Sequence, residues 1–595
     1  MLHAIPSRRN AKRRAMLVMA IIHLAGMTAF TTWHVHASTN AVFTIRDVPV
    51  MDRFSQPGQV AADIARWNIA PLCIASDEFG AAQQPRGIQF WQYINDTTPG
   101  LFTYARLHNI FTDASGDRRG AANTGGAVVT RELNGTLTYN WTRVINVYDQ
   151  IVGGGMIPFV EIGFMPRALS SNPASHPERH APATMSEWTG LVTAFLDLAG
   201  RRYGNATLEL WRFEVWNEPD IDNFWEDSRA SFFELYNATA RAIKAYNPAL
   251  KVGGPALASK VDFLHEFLGY CELHGVPLDL ISFHAKGGER GDDSPALETF
   301  LDKVRAGLDA IASHPAFNQA SGKVEIFLSE ADDIVGSHVN KIDEPAFAYR
   351  DTEYYAAYLV NMLVKTTRLA IERGVTIHGF MSHNIVFPWE TRTFHGTRSF
   401  VTPLFLEGTP APGNIPADMP LPPCDAVVGK PVFVAAQLVG RIPRNASFLL
   451  ESTMTGLPAA WGMIDGLAFR GGNGTYHVLV AHQEASRHTR ASRTLAISLD
   501  FARDDGSGGS GGSPIQPTVA RVREWRIDRS HNNPFRAWEA LGSPSRVTGE
   551  SIAVLQASAR LSSTGSAIVP ITGGKLTMNL ELPAHSCLLL EIQVG

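Results

Sequence analysis

The chain has 595 residues, with 45% hydrophobic and 18% charged residues and a formal net charge of −5. This balance is ordinary for a globular protein with a sizeable core, and the length suggests two or three domains. A weakly acidic chain without a basic stripe gives no reason to expect nucleic acid as a partner.

The N-terminus reads as an export signal. Arg8, Arg9, Lys12, Arg13 and Arg14 precede an apolar stretch from Ala15 to Phe30, and Val35-His36-Ala37 offers a small-residue cleavage site. Residues 1–37 are therefore expected to be a signal peptide, or a membrane-tethering signal anchor if cleavage fails. Seven Asn-x-Ser/Thr sequons, at Asn95, Asn134, Asn140, Asn205, Asn237, Asn445 and Asn473, fit a secreted glycoprotein or one sent to a lysosome- or vacuole-like compartment. The four cysteines, Cys73, Cys271, Cys424 and Cys587, are widely spaced and match neither a zinc site nor a disulfide scaffold. One or two disulfides and buried free thiols both remain open.

From there the chain alternates short apolar runs with amphipathic helical patterns, as βαβ units do. Strands are expected near 72–75, 102–107, 157–162, 210–215, 251–253, 278–283, 324–328 and 376–381. Helical patterns fall between many of them, at 188–202, 230–246, 262–274, 297–313 and 353–373. Eight strands with intervening helices point to an α/β fold, a TIM (β/α)8 barrel over residues 38–445. After residue 445 helical periodicity largely disappears. Short β-like runs at 476–481, 495–499, 519–527 and 587–592 suggest a C-terminal antiparallel β-sandwich domain, residues 446–595. The Gly/Ser-rich stretch at 505–514 reads as a flexible loop joining two of its strands.

Two apolar strands end in carboxylates. Trp211-Arg-Phe-Glu-Val-Trp-Asn-Glu-Pro-Asp220 ends expected strand four at Glu218, and Val324-Glu-Ile-Phe-Leu-Ser-Glu330 ends strand seven. Active sites of this barrel are built at the C-terminal ends of its strands. Two glutamates facing each other there could act as acid/base and nucleophile of a retaining glycosidase, whose carboxyls stand about 5–5.5 Å apart. Trp216 could supply an apolar wall to Glu218. Side-chain parity puts Glu214 on the face of Glu218, as a supporting or simply structural carboxylate. Two carboxylates suffice for this chemistry, so no metal or organic cofactor is called for.

The segment Phe213-Glu-Val-Trp-Asn-Glu-Pro-Asp220 resembles the acid/base signature of glycoside hydrolase family 39, which contains β-xylosidases and α-L-iduronidases. Arg106-Leu-His108, Asp279-Leu-Ile-Ser-Phe-His-Ala-Lys-Gly287, Glu330-Ala-Asp-Asp-Ile-Val-Gly336 and Trp525-Arg-Ile-Asp-Arg-Ser-His-Asn-Asn533 are similar to further segments of that family. The resemblance implies Glu218 as acid/base and Glu330 as nucleophile, with an oligosaccharide or polysaccharide as substrate. It further implies that Asn217 bonds the sugar 2-hydroxyl and that His108 and His284 line the sugar subsite. Lys286 matches a lysine that contacts the substrate carboxylate in iduronidases; an exposed loop lysine is the plain alternative. Ser337 stands where iduronidases carry a tryptophan, and Phe394-His395-Gly396 looks xylosidase-like. Trp389, Glu390 and Arg392 carry no assigned role. A β-xylosidase-like enzyme is the leading expectation. An iduronidase-like hydrolase of glycosaminoglycans and an inactive carbohydrate-binding surface protein are its rivals.

Overall fold

The computed structural model describes residues 41–50, 72–76 (backbone), 85–111, 127–289, 295–317, 324–335, 344–383, 390, 392–408, 423–443, 447–457, 463–501 and 518–595. The export-like segment 1–37, Ser337, Trp389, Asn445 and the loop 505–514 lie outside the described residues.

The barrel strands are β1 (Leu72–Ser76), β2 (Tyr104–Leu107), β3 (Ile157–Ile162), β4 (Arg212–Val215), β5 (Lys251–Leu257), β6 (Leu280–Lys286), β7 (Glu325–Asp332) and β8 (Ile377–His383). Each pairs in parallel with its neighbour in the chain, and β8 returns to β1, so the sheet closes. The expected strands thus all form, with ends displaced by a few residues. Because a strand alternates its side chains, β2 sends Tyr104, Arg106 and then His108 inward, and β3 sends Phe159 and Glu161. Tyr104, Phe159, Leu280, Phe327 and Met381 form an apolar plug inside the barrel, with Phe159 and Phe327 ring centroids 4.9 Å apart. Above that plug the inward positions turn polar, and there the functional site begins.

The second unit is a nine-stranded sheet that is antiparallel except at one pair. Two faces are joined at both edges by strands that switch between them. Ser447–Thr455 pairs first with Met463–Gly471 and then with Val42–Pro49, and Gly565–Thr572 bridges the other edge. The expected sandwich therefore closes on itself.

The segment Val42–Pro49 corrects the expected boundary. Residues from 38 onward were assigned to the barrel, yet this strand lies between Ser447–Thr455 and Ser492–Asp500 of the second sheet. The reason is packing: Phe43 and Ile45 fill the interior of that sheet beside Val478, Leu495 and Ile497. A short alternating run says that one face is buried but not against what. The strands flanking 505–514 both belong to this unit, in keeping with a strand-to-strand loop.

The two units share a core. The helix Glu353–Glu372 is buried on nearly all sides, because the barrel covers one face and the second sheet the other. Arg368 Nε donates to Asp465 at 2.7 Å across this seam. The segment Trp525–Asn533 works at the same seam. Arg441 lies 3.9 Å over the Trp525 ring, Asp528 accepts from the backbone N–H of Ser530 and His531, and Asn533 Nδ2 donates to Glu353 Oε2 at 3.1 Å. Arg536 adds two bonds to the same carboxylate, at 2.6 and 2.9 Å. Glu353→Ala should therefore lower unfolding stability by about 1.5–3 kcal/mol, the range for hydrogen bonds to a charged group. A denaturant midpoint unchanged from wild type would show that the Glu353 cluster does not hold the units together.

Cys271, Cys424 and Cys587 are buried free thiols. Of the sequons, Asn134, Asn140, Asn205 and Asn473 are exposed, while Asn95 and Asn237 are half-buried. No described helix is long and apolar enough to cross a membrane.

Candidate active site

The site stands at the C-terminal mouth of the barrel, and two irregularities of the strands build it. In β7 the register against β6 shifts between Leu328 and Glu330, so Ser329 is an extra residue. Strict alternation from the inward Phe327 would aim Ser329 inward and Glu330 out. The bulge re-aims the strand, and Glu330 and Asp332 pair in register with His284 and Lys286 of β6. In β5 a second shift falls at Ala256, which has φ +54°. Its carbonyl accepts the Glu218 N–H at 3.0 Å. Trp216 and Glu218 both have positive φ, +73° and +46°, a backbone region that costs a non-glycine residue on the order of 1 kcal/mol or more. This turn after β4 carries Asn217 and Glu218 into the mouth.

Glu218, His284 and Glu330 place side-chain oxygen or nitrogen atoms within 4.8 Å of one another. Glu218 Oε1 meets His284 Nδ1 at 2.7 Å. Glu330 is 4% exposed and sits among cationic groups. Its Oε1 accepts from Arg106 Nη1 at 3.1 Å and lies 3.2 Å from His108 Nε2, and its Oε2 is paired with Lys286 Nζ. Such a trio could in principle bridge a divalent ion. Here the donor set argues for another use, because Arg106, His108 and Lys286 already supply the positive charge that Glu330 would share with a metal.

Arg106 organises the floor. Its Nε donates to Glu214 at 2.6 Å, Nη1 to Glu330, and Nη2 to Asn217 Oδ1 at 2.8 Å, with Glu161 2.9 Å from Nη2. Arg106, Glu161 and Glu214 are all fully buried. Burial alone would lower the Arg106 pKa; Glu214, Glu161 and Glu330 overcome it and raise the pKa further. The bond to Oδ1 leaves the amide NH2 of Asn217 as the end not used by Arg106.

Lys286 is neither an exposed loop lysine nor solvent-facing. It is 6% exposed and lies between Glu330 and Asp332, whose Oδ2 is 2.5 Å from Nζ. Burial would lower its pKa, but Asp332 and then Glu330 outweigh it and raise it. Asp332 in turn meets Arg398 at 2.9 Å, and Asp333 meets Arg350 at 2.7 Å. Trp216 does not stand alone as a wall for Glu218. Its ring packs among Phe164, Trp188 and Trp225, and its Nε1 donates to Phe224 O at 3.0 Å. Phe164 stacks on both His108 and Phe224, making a ladder of rings beside the mouth. Glu390 is buried and accepts from Ser399 Oγ at 2.7 Å; Arg392 is exposed.

The structure thus brings together His108, Asn217, Glu218, His284, Lys286 and Glu330, all named from the sequence. Glu161, Asp332 and Arg398 were not singled out there. Glu161 had a signal, a lone charge inside the apolar run Ile157–Ile162. Arg398 sits in a loop and had none.

Comparison with known proteins shows what this arrangement is similar to. Residues 101–384 match the model described as Glycosyl hydrolases family 39. Over that segment the chain is similar to glycoside hydrolase family 39. These similarities support an O-glycosyl hydrolase that acts on carbohydrate. It is 32% identical over 222 residues to a β-xylosidase of Geobacillus stearothermophilus, an alignment covering 36% of the chain but 42% of that enzyme. A β-xylosidase of Caldicellulosiruptor saccharolyticus is 24% identical over 505 residues, 83% of the chain and 89% of the relative. Among solved structures, a bacterial orthologue of human α-L-iduronidase superposes with a TM-score of 0.69 at 16% identity, covering 94% of this chain and 84% of that one. That last likeness speaks for the fold.

Proposed function

We propose that this chain is a family 39 glycoside hydrolase that acts on neutral glycosides of the β-xyloside kind, with Glu218 as acid/base and Glu330 as nucleophile. The observation that carries the reading is the asymmetry between two carboxylates whose atoms approach within 4.8 Å. Glu330 is wrapped by Arg106, His108 and Lys286, which stabilise negative charge on it. Glu218 meets the imidazole of His284. In the first step Glu330 attacks the anomeric carbon while Glu218 protonates the leaving oxygen. In the second, Glu218 accepts a proton from water and Glu330 departs. Asn217, through its free amide end, is suited to bond the sugar 2-hydroxyl.

The preference for a neutral sugar rests on charge. A uronate would need an uncommitted cation at the pocket. Lys286 is committed to Glu330 and Asp332, and Arg398 to Asp332. Around the site Arg106, His108, Lys286, Arg398 and Arg350 are matched by Glu161, Glu214, Glu330, Asp332 and Asp333. An α-L-iduronide is the second reading, favoured by a lysine standing beside the carboxylate pair at all. Aryl β-D-xyloside and α-L-iduronide assayed side by side decide between them. A clear preference for the iduronide would overturn the neutral-sugar reading.

The acid role makes its own prediction. Glu218→Gln should lower kcat/KM by roughly 10²–10⁴-fold on a substrate with a poor leaving group, and far less on a dinitrophenyl glycoside, whose leaving group needs no proton. Equal losses on both would exclude Glu218 as the acid.

The export-like N-terminus and the exposed sequons support a secreted, glycosylated protein. Sequencing the mature N-terminus tests this: a start near residue 38 is expected, and an intact residue 1 in a membrane fraction would favour the anchored form.

A further inference from the structure

Glu161 is a fully buried carboxylate that the two-carboxylate reaction does not by itself require. It lies 2.5 Å from His108 Nδ1, and His108 Nε2 lies 3.2 Å from Glu330 Oε1. The imidazole therefore bridges two carboxylates. Both ring nitrogens can donate only when the ring is doubly protonated.

We propose that Glu161 is a positioning residue that holds His108 as an imidazolium donor to Glu330, and that this donor speeds the departure of Glu330 in the second half of the reaction. The inference rests on Glu330 being the nucleophile. In that step the bond from the anomeric carbon to Glu330 breaks and its electron pair returns to the carboxylate. The oxygen of water bonds to the anomeric carbon, and Glu218 takes the proton. Negative charge grows on Glu330 throughout, and a donor already aimed at it stabilises that growth without reorganising. Arg106 supplies one such donor at every pH. His108 supplies another that depends on its partner across the barrel floor.

The groups facing His108 and Glu161 are Arg106 on β2, Glu214 on β4, Glu330 on β7 with Lys286 beyond it, and Tyr148 from the helix Thr142–Gly153 behind β3. Burial alone would push the His108 pKa down. The charge and hydrogen bond of Glu161, with the hydrogen bond to Glu330, outweigh it against the opposing Arg106 and hold the pKa well above the ordinary value. Without the charge of Glu161, burial and Arg106 gain ground, and the imidazolium is lost at a lower pH.

Glu161→Gln tests this, because glutamine can still accept from Nδ1 but carries no charge. A dinitrophenyl glycoside makes the second step limiting, so kcat reports it. The full-length variant should still release a stoichiometric burst of phenol, which also shows that its site is assembled. Its kcat should fall by on the order of 100-fold at alkaline pH, with the alkaline limb of kcat displaced acidward and kcat/KM changed far less. A limb that does not move, or a loss uniform across pH, would overturn the proposal. Should Glu161→Gln not fold, His108→Gln decides: a slow second step at every pH is expected, and an unchanged kcat overturns the idea. If wild type showed no burst and no turnover on any glycoside, the two-carboxylate reading would fall first and this one with it. Normal wild-type turnover with an unshifted variant sinks the Glu161 role alone.

Discussion

Glutamine in place of Glu330 is expected to lower kcat by on the order of 10⁶-fold, on activated and natural glycosides alike. At 1.36 kcal/mol per factor of ten, that is about 8 kcal/mol of transition-state stabilisation. The side chain keeps its shape, but a neutral amide is a poor nucleophile, and Arg106, His108 and Lys286 then surround a group without charge. This insensitivity to the leaving group separates Glu330 from Glu218, whose loss should be forgiven by a good one. Glu330→Gly with added azide gives a second reading. The small anion should attack in the vacated space and yield a glycosyl azide of inverted anomeric configuration. A Glu330→Gln enzyme retaining more than about one hundredth of wild-type kcat would exclude the nucleophile assignment.

Arg106 should be the position whose loss costs the most stability. Its one guanidinium serves Glu214, Glu330, Glu161 and Asn217 from a fully buried position inside the barrel. Breaking a buried pair by removing one partner typically costs about 3–5 kcal/mol, because the remaining charge stays buried. Arg106→Leu leaves several carboxylates in that state and should lower unfolding stability by at least that range, read from denaturant or thermal unfolding. Arg106→Lys keeps the charge but not the planar fork, since an ammonium cannot reach all four partners. It should fold, yet lose roughly 100-fold in kcat/KM through misplacement of Glu330 and Asn217. Wild-type stability in Arg106→Leu would show that the buried carboxylates hold their places without it.

Much of this was legible in one dimension. The eight barrel strands could be read because each is a short apolar run between helical patterns, and that alternation is a local property. Glu218 and Glu330 could be read because each interrupts an apolar strand at its end, where this fold builds its sites. Lys286 could be named but not interpreted. Sequence left it either a clamp or a loop residue, whereas its contacts with Glu330 and Asp332 make it part of the floor. His108 is expected from the sequence as a sugar contact, and in the structure its partners include Glu161 and Glu330.

The sequence by itself determined the architecture of the barrel, the existence of a β-rich second unit and the two strand-end glutamates that meet at the barrel mouth, because periodicity and strand-end chemistry are written in adjacent residues. Tertiary structure alone decided the rest. The Ser329 bulge turns Glu330 inward against the parity of its own strand, and no residue type announces a bulge there. The strand Val42–Pro49 crosses to a sheet whose other members begin some four hundred residues later. The ion-pair floor joins β2, β3, β4, β6 and β7, and its energy resides in distances between chain segments rather than in any segment. Such pairings form only when the closed barrel excludes water and brings charges from distant strands within about 3 Å, where each becomes the other's solvent.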